Sequence, residues 1–166
     1  MGKRRSGRER ALQVLFELEF NDAGIEAILA RAVKDKQAER SVQEYAGWLS
    51  RGIMARRDEI DALIQGTSDH WRVSRMALVD RNILRVAVFE LLEEKLMAPA
   101  IIINEAIEIA KRFSGAQAAV FVNGVLDAVR KKLDASKPQE KETKDERTQE
   151  PAQKRADAGR RRSQKA

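Results

Sequence analysis

The clearest helical pattern in the chain is D-R-N-I-L-R-V-A-V-F-E-L-L, residues 80–92. Its apolar residues recur at the spacing of a helix that buries one face; they are Ile83, Leu84, Ala87, Val88, Leu91 and Leu92. Pro99 prevents this helix from continuing. A second helix is predicted over about 100–113, with Ile103, Ala106, Ile107 and Ala110 facing inward. Two consecutive amphipathic helices favour an all-α fold.

The same periodicity extends over most of the chain and predicts six or seven helices. One begins near residues 6–8 and ends about Phe20, with a buried stripe of Ala11, Leu12, Leu15 and Phe16. Others cover about 25–35, 41–66, 68–76 and 117–133, and a break near 56–58 is left open. Ser41 and Glu44 match a capping box. Gly124, inside the last helix, is expected to permit close helix packing.

Composition supports a helical domain followed by a tail. Among 166 residues there are only eight aromatic side chains and no cysteine, which excludes disulfides and thiolate metal sites and fits a reducing cytoplasm. No apolar run approaches the ~20 residues that a membrane span requires, so a cytoplasmic protein without a membrane partner is expected. Large apolar residues are absent from 135 onward. A domain over 1–134 and a disordered tail over 135–166 are predicted.

Positive charge is concentrated at the two ends of the chain. Residues 1–10 carry +4, residues 137–166 carry +4, and the segment between them carries −2, within a total of +6. A nearly neutral globule with cationic ends suggests contact with a polyanion.

Residue types that commonly support catalysis are sparse. His70 is the only histidine, and its neighbours Ser68 and Asp69 are better explained as helix-capping residues than as a triad, whose geometry is assembled from separate elements. A glycine-rich phosphate loop is also missing from the sequence. We therefore predict a protein with no catalytic residues, no metal site and no cofactor.

Two features of the sequence point to RNA, and each also has a plain structural interpretation. Lys3, Arg4, Arg5 and Arg8 could bind phosphates of a single strand, or they could form a solvated terminus. Their charge opposes the helix macrodipole, so local helix stability does not favour them there. Phe121 could stack on a base or lie at the edge of the core.

Four sequence blocks resemble the NusB family of transcription antitermination factors. They are R-E-R-A-L-Q-V-L-F (8–16), D-R-N-I-L-R-V-A-V-F-E-L (80–91), I-N-E-A-I-E-I-A-K-R-F (103–113) and F-V-N-G-V-L-D (121–127). The resemblance implies a NusB-like fold of two perpendicular helical bundles. It also implies binding of boxA-type single-stranded RNA in nascent ribosomal RNA transcripts, as a heterodimer with the ribosomal protein NusE. Within an RNA polymerase antitermination complex, such a protein promotes processive transcription.

The resemblance also implies roles for individual residues. Lys3, Arg4, Arg5, Arg8 and Phe121 correspond to RNA-contacting positions. Phe16, Phe20 and Asp80 correspond to positions facing NusE, although the sequence leaves open whether the two phenylalanines face the core or the partner. An exposed helical face could also self-associate into a homodimer when NusE is absent.

Two departures from the family pattern affect the RNA site. Ser6-Gly7 stands where another basic residue is common, and Ser114–Val120 is less polar than usual.

A protein–protein adaptor, or an accessory of RNA modification that does not itself bind RNA, is the alternative function.

Overall fold

The computed structural model describes residues 2–34 and 38–138. Within these ranges the chain forms seven α-helices and one short 3-10 helix at Val73–Arg75. The α-helices are α1 (Lys3–Leu18), α2 (Ile25–Lys34), α3 (Arg40–Ala55), α4 (Arg57–Gln65), α5 (Leu78–Glu93), α6 (Pro99–Phe113) and α7 (Ala116–Ser136). The predicted all-α fold is confirmed for these residues. The predicted tail lies outside the described residues from 139 onward, and α7 continues past the predicted boundary at residue 134.

Local sequence explains where the helices begin and end. Pro99 is the first residue of α6, a position where its missing N–H is not needed. Gly115 separates α6 from α7 with φ of 99°, a left-handed conformation that glycine adopts without strain. The break left open near 56–58 is real, since α3 ends at Ala55 and α4 begins at Arg57.

Most of the apolar residues form one core. Helix α1 packs against α3 and α5, while α6 and α7 pack against each other and against α5. Helix α5 is therefore central, and residues 81–90 are all buried. A smaller cluster of Val14, Ile28 and Leu29 holds α2 against α1.

Three local predictions were wrong. Helix α1 begins at Lys3 rather than near 6–8, because the backbone N–H of Ser6 already donates to the carbonyl of Gly2 at 3.1 Å. Ser41 lies inside α3 rather than capping it, and Glu44 pairs with Arg40. The helix expected over 68–76 is reduced to the 3-10 turn.

Close helix packing occurs at different glycines from the one expected. A Cβ on Gly124 would meet open space among the described residues, so the prediction for this residue was wrong. A Cβ on Gly52 of α3 would instead overlap the ring of Phe89 on α5, and one on Gly7 of α1 would lie 2.7 Å from Cδ1 of Tyr45. Gly52 and Gly7 are therefore the residues that let neighbouring helices approach.

Candidate nucleic-acid interface

The first turn of α1 presents three cations, each paired with a carboxylate on another element. Lys3 lies 2.8 Å from Glu39, and Arg4 lies 3.1 Å from Glu94 at the end of α5. Arg5 donates two hydrogen bonds, of 2.7 and 2.9 Å, to Glu105 on α6. Lys3, Arg4 and Arg5 are called the cationic end of α1 below.

The three cations of these pairs are between 36% and 68% exposed, whereas Glu94 and Glu105 are only 13% and 21% exposed. Ion pairs that remain accessible to solvent contribute only about 0–1 kcal/mol to stability, so a phosphate that reaches the cations can replace the carboxylates. Hydrogen bonding to Arg5 is the main reason why the pKa of Glu105 lies below its ordinary value, and partial burial opposes it. The cationic end is therefore charged and reachable from solvent, but each cation is paired with a carboxylate that a ligand would have to displace.

Arg8 occupies a different environment from the other predicted RNA-binding residues. Its side chain is only 3% exposed, and Nε donates to both oxygens of Glu90, at 2.9 and 3.0 Å. Burial alone would lower the pKa of Arg8, but bonding to Glu90 outweighs it and the pKa is raised. The expectation of a surface cation was wrong for Arg8, because the guanidinium serves as an internal anchor between α1 and α5.

Tyr45 of α3 completes this anchor. Its hydroxyl donates to Glu90 Oε1, and burial is the main reason why its pKa is raised. The ring lies against Gly7, with the guanidinium carbons of Arg4 and Arg8 at 5.5 and 5.9 Å from the ring centroid. Gly7, a departure from the family pattern, therefore makes room for an aromatic ring beneath the cationic end.

Phe121 is half-buried at the edge of the core, and it contacts a second aromatic residue. The Trp71 ring meets it edge-on at a centroid distance of 5.8 Å and is itself 60% exposed. The Gln65 side-chain amide fixes the loop that carries Trp71. It donates to the carbonyl of Trp71 at 2.9 Å and accepts from the N–H of Val73 at 3.0 Å. The two rings form a fixed aromatic surface separate from Tyr45.

The predicted partner-binding phenylalanines face solvent. Phe16 is 41% exposed and Phe20 is 70% exposed, with ring centroids 5.3 Å apart. Phe16 was expected in the buried stripe of α1 with Ala11, Leu12 and Leu15; that expectation was wrong for Phe16 alone. Phe16 and Phe20, called the phenylalanine patch below, lie on a surface that a protein can cover.

Asp80 lies on the first turn of α5, partly buried, next to the end of α1. Its Oδ1 is buried and has no hydrogen-bond partner among the described residues. Glu19, directly after α1, accepts from Arg81 and Arg85 at 3.1 Å each, and Arg85 also pairs with Asp61 at 2.8 Å. This network places the end of α1 beside the start of α5, so Asp80 and the phenylalanine patch lie at the same end of the molecule.

Helix α1 separates the two candidate surfaces. Sixteen residues at a rise of 1.5 Å give a length of about 24 Å. The cationic end lies at its N-terminus and the phenylalanine patch at its C-terminal end. One helix can therefore hold a nucleic acid and a protein partner at the same time.

Several residues of the site could not be recognised from sequence. Glu105 and Glu94 are about 90 to 100 positions away from the arginines they pair with. Tyr45 and Trp71 carried no signal beyond being aromatic residues in helical or loop segments. Partners of this kind become visible only when the packing of α1 against α3, α5 and α6 is known.

Neither a metal site nor a membrane span occurs in the part of the chain that the structure describes. Residues 2–34 and 38–138 contain no cluster of three or more His, Asp or Glu side chains arranged to hold a metal ion. Within the same ranges, every helix is too short or too polar to cross a bilayer.

Fold and surface together define an all-helical protein with a cationic helix end and an exposed aromatic patch. The NusB family model matches residues 5–131. The chain belongs to the NusB family.

Known relatives agree over nearly their whole length. The transcription antitermination protein NusB of Myxococcus xanthus is 41% identical over 133 residues, covering 78% of this chain and 95% of that protein. The NusB protein of Anaeromyxobacter sp. (strain Fw109-5) is 46% identical over 128 residues, covering 76% and 89%.

Solved structures match as well. NusB of T. maritima superposes with a TM-score of 0.71 at 39% identity, covering 79% of this chain and 92% of that one. A structure of antitermination factors NusB and NusE in complex with dsRNA matches with a TM-score of 0.71 at 28% identity, covering 80% and 98%.

Proposed function

We propose that this protein is a non-catalytic antitermination factor. It binds boxA-type single-stranded RNA in nascent ribosomal RNA transcripts together with the ribosomal protein NusE, and it promotes processive transcription by RNA polymerase in the cytoplasm. The observation that carries the proposal is the cationic end of α1, held in place from below by the buried Arg8–Glu90–Tyr45 network. Membership of a family of antitermination proteins, one of them solved with NusE and dsRNA, supports it.

The exposure or burial of each residue determines the role proposed for it. Lys3, Arg4 and Arg5 exchange their carboxylate partners for phosphates, because ion pairs whose cations remain accessible to solvent are weak. Arg8 positions them without touching the strand, and Phe121 stacks on a base. Phe16, Phe20 and Asp80 face NusE at the other end of α1. Without NusE, the phenylalanine patch is the surface through which a homodimer would form.

Filter binding to a boxA-type oligoribonucleotide, with and without NusE, tests the proposal. Replacing Lys3, Arg4 and Arg5 by Ala is expected to weaken binding. It should also flatten the dependence of log K on log salt by roughly 0.7 for each phosphate that the protein no longer neutralises. An unchanged slope and affinity would reject this surface and favour the protein–protein adaptor. Copurification with an RNA-modifying enzyme instead of NusE would favour the modification accessory.

A further inference from the structure

The outward face of α3 carries an aromatic residue beside the cationic end of α1. Exposed positions on this helix recur three and four apart; they are Ser41, Glu44, Trp48, Arg51 and Ala55. Trp48 is the only large apolar residue in this stripe, and 39% of it is exposed. Packing of the core does not explain why an indole lies exposed in the middle of a polar stripe.

Trp48 is fixed in place by two neighbouring rings. It stacks on Tyr45 with a centroid distance of 5.5 Å and an interplanar angle of 25°, and it meets Phe89 at 5.0 Å and 59°. Tyr45 is in turn bonded to Glu90 and lies under Arg4. The indole is therefore rigid, partly exposed, and joined to Arg4 through a single ring.

The charges around this surface suit a strand of nucleic acid. Lys3 and Arg4 provide positive charge beside Tyr45 when a phosphate displaces their partners Glu39 and Glu94. The nearest acid on the stripe, Glu44, is bonded to Arg40 at 2.8 Å, and Arg51 is bonded to Glu26 at 2.7 Å. Cations that follow a backbone, next to a fixed aromatic plane, are the two components of single-strand binding sites.

We infer that Trp48 is a stacking platform for an unpaired base of the RNA strand whose phosphates contact Lys3 and Arg4. The inference rests on the proposed function and adds a base contact on α3, distinct from Phe121 on α7. Tyr45 is a positioning residue, because it orients the indole and supports Arg4 without contacting the strand.

The chain has only two tryptophans, Trp48 and Trp71, which permits a direct test. In the Trp71→Phe protein, Trp48 is the only indole. Titration with a boxA-type oligoribonucleotide should quench its fluorescence saturably and protect it from acrylamide, in parallel with filter binding. If filter binding shows saturation while emission and acrylamide access of Trp48 remain unchanged, the inference is wrong and the proposed function stands.

Affinity measurements separate stacking from a structural role. Trp48→Leu keeps apolar contact with Phe89 but removes the π face, and it should weaken binding about 5- to 150-fold, the range for one stacked base. The salt slope should not change, since every phosphate keeps its cationic partner. Trp48→Phe should recover most of the affinity.

Two results with the Trp48→Leu protein would overturn the inference. Wild-type affinity in a folded Trp48→Leu protein removes the base contact. A flattened salt slope in that variant means that Trp48 acts through the position of Arg4. Failure of the wild-type chain to retain RNA on the filter, alone and with NusE, would reject the proposed function together with this inference.

Discussion

Arg8 on α1 and Glu90 on α5 form an ion pair at 2.9 Å in which both side chains are almost completely buried. Removing one partner of a buried pair leaves an uncompensated charge and costs about 3–5 kcal/mol. Arg8→Met should therefore lower the free energy of unfolding by roughly that amount, as measured by urea denaturation.

The control for this prediction removes both charges. Arg8→Met combined with Glu90→Leu replaces the pair by apolar side chains, and such replacements are often close to neutral. The double variant should recover much of the stability missing from Arg8→Met. If Arg8→Met alone were as stable as the wild type, the pair would not anchor α1.

Glu105 shields Arg5, so its removal should strengthen RNA binding. Glu105→Gln replaces the charged partner of Arg5 by a weaker, neutral acceptor, and it also removes a carboxylate 3.7 Å from Arg8. Affinity for boxA-type RNA should rise about two- to fivefold, in line with the strength of a pair that is partly accessible to solvent. Glu108→Gln is the matched control, because the substitution makes the same charge change on α6. Glu108 pairs with Lys111 and acts on Arg5 only through a weaker Coulombic attraction. An equal gain in both variants would show a general charge effect rather than release of Arg5.

The lowered pKa of Glu105 fixes the pH range of its contribution to stability. Arg5 favours the ionised carboxylate in the folded state, so the folded pKa lies below the ordinary value of 4.5. Its contribution is present above pH 4.5 and is lost as pH falls through the folded pKa. The difference in unfolding free energy between wild type and Glu105→Gln should therefore shrink below pH 4.5. A difference that stayed constant down to acid unfolding would contradict this linkage.

Helix packing depends on Gly52 and not on Gly124. Gly52→Ala would overlap the Phe89 ring, and overpacking of this kind costs about 1–3 kcal/mol. Gly124→Ala, on an exposed helical surface, should instead stabilise the protein by about 0.5–1 kcal/mol. Thermal unfolding of the two variants, compared under identical conditions, measures both effects. Equal shifts of the same sign would show that neither site has the packing assigned to it.

The sequence was sufficient for the class of fold but not for the surfaces. Periodic apolar residues such as Ile83 and Ala87 predict helices because a helix that buries one face needs this spacing. The spacing is the same whichever element covers that face. Exposure of Phe16 and burial of Arg8 depend on which helices lie beside α1, and nothing local to residues 8–16 specifies them. The observed environments of these two residues on α1 are therefore the reverse of those expected: Phe16 is exposed and Arg8 is buried.

Gly124 illustrates the same limit. A glycine inside a helix has an energetic cost, which invites a packing explanation. The actual close contacts are at Gly7 and Gly52, where the rings of Tyr45 and Phe89 approach from other helices. Such contacts join residues about 40 positions apart, and the local pattern contains no trace of them.

The phenylalanine patch is the surface on which association with NusE should depend most. Phe20→Ala removes a side chain that is 70% exposed, so stability should change by less than about 0.5 kcal/mol, as for other surface substitutions. Affinity for NusE should fall at least about fivefold, as for an aromatic interface residue worth more than 1 kcal/mol. Calorimetric titration with purified NusE measures the change.

Leu96→Ala is the matched control for Phe20→Ala. Leu96 is 94% exposed, but it follows α5 at the same end as Glu94 and the cationic end of α1. Its truncation removes a similar amount of exposed apolar surface and should leave NusE affinity unchanged.

Asp80→Lys, which reverses a charge beside the end of α1, should weaken NusE binding while the circular dichroism spectrum stays helical. If Phe20→Ala and Asp80→Lys both bind NusE normally while Leu96→Ala does not, the partner contacts the opposite end of α1.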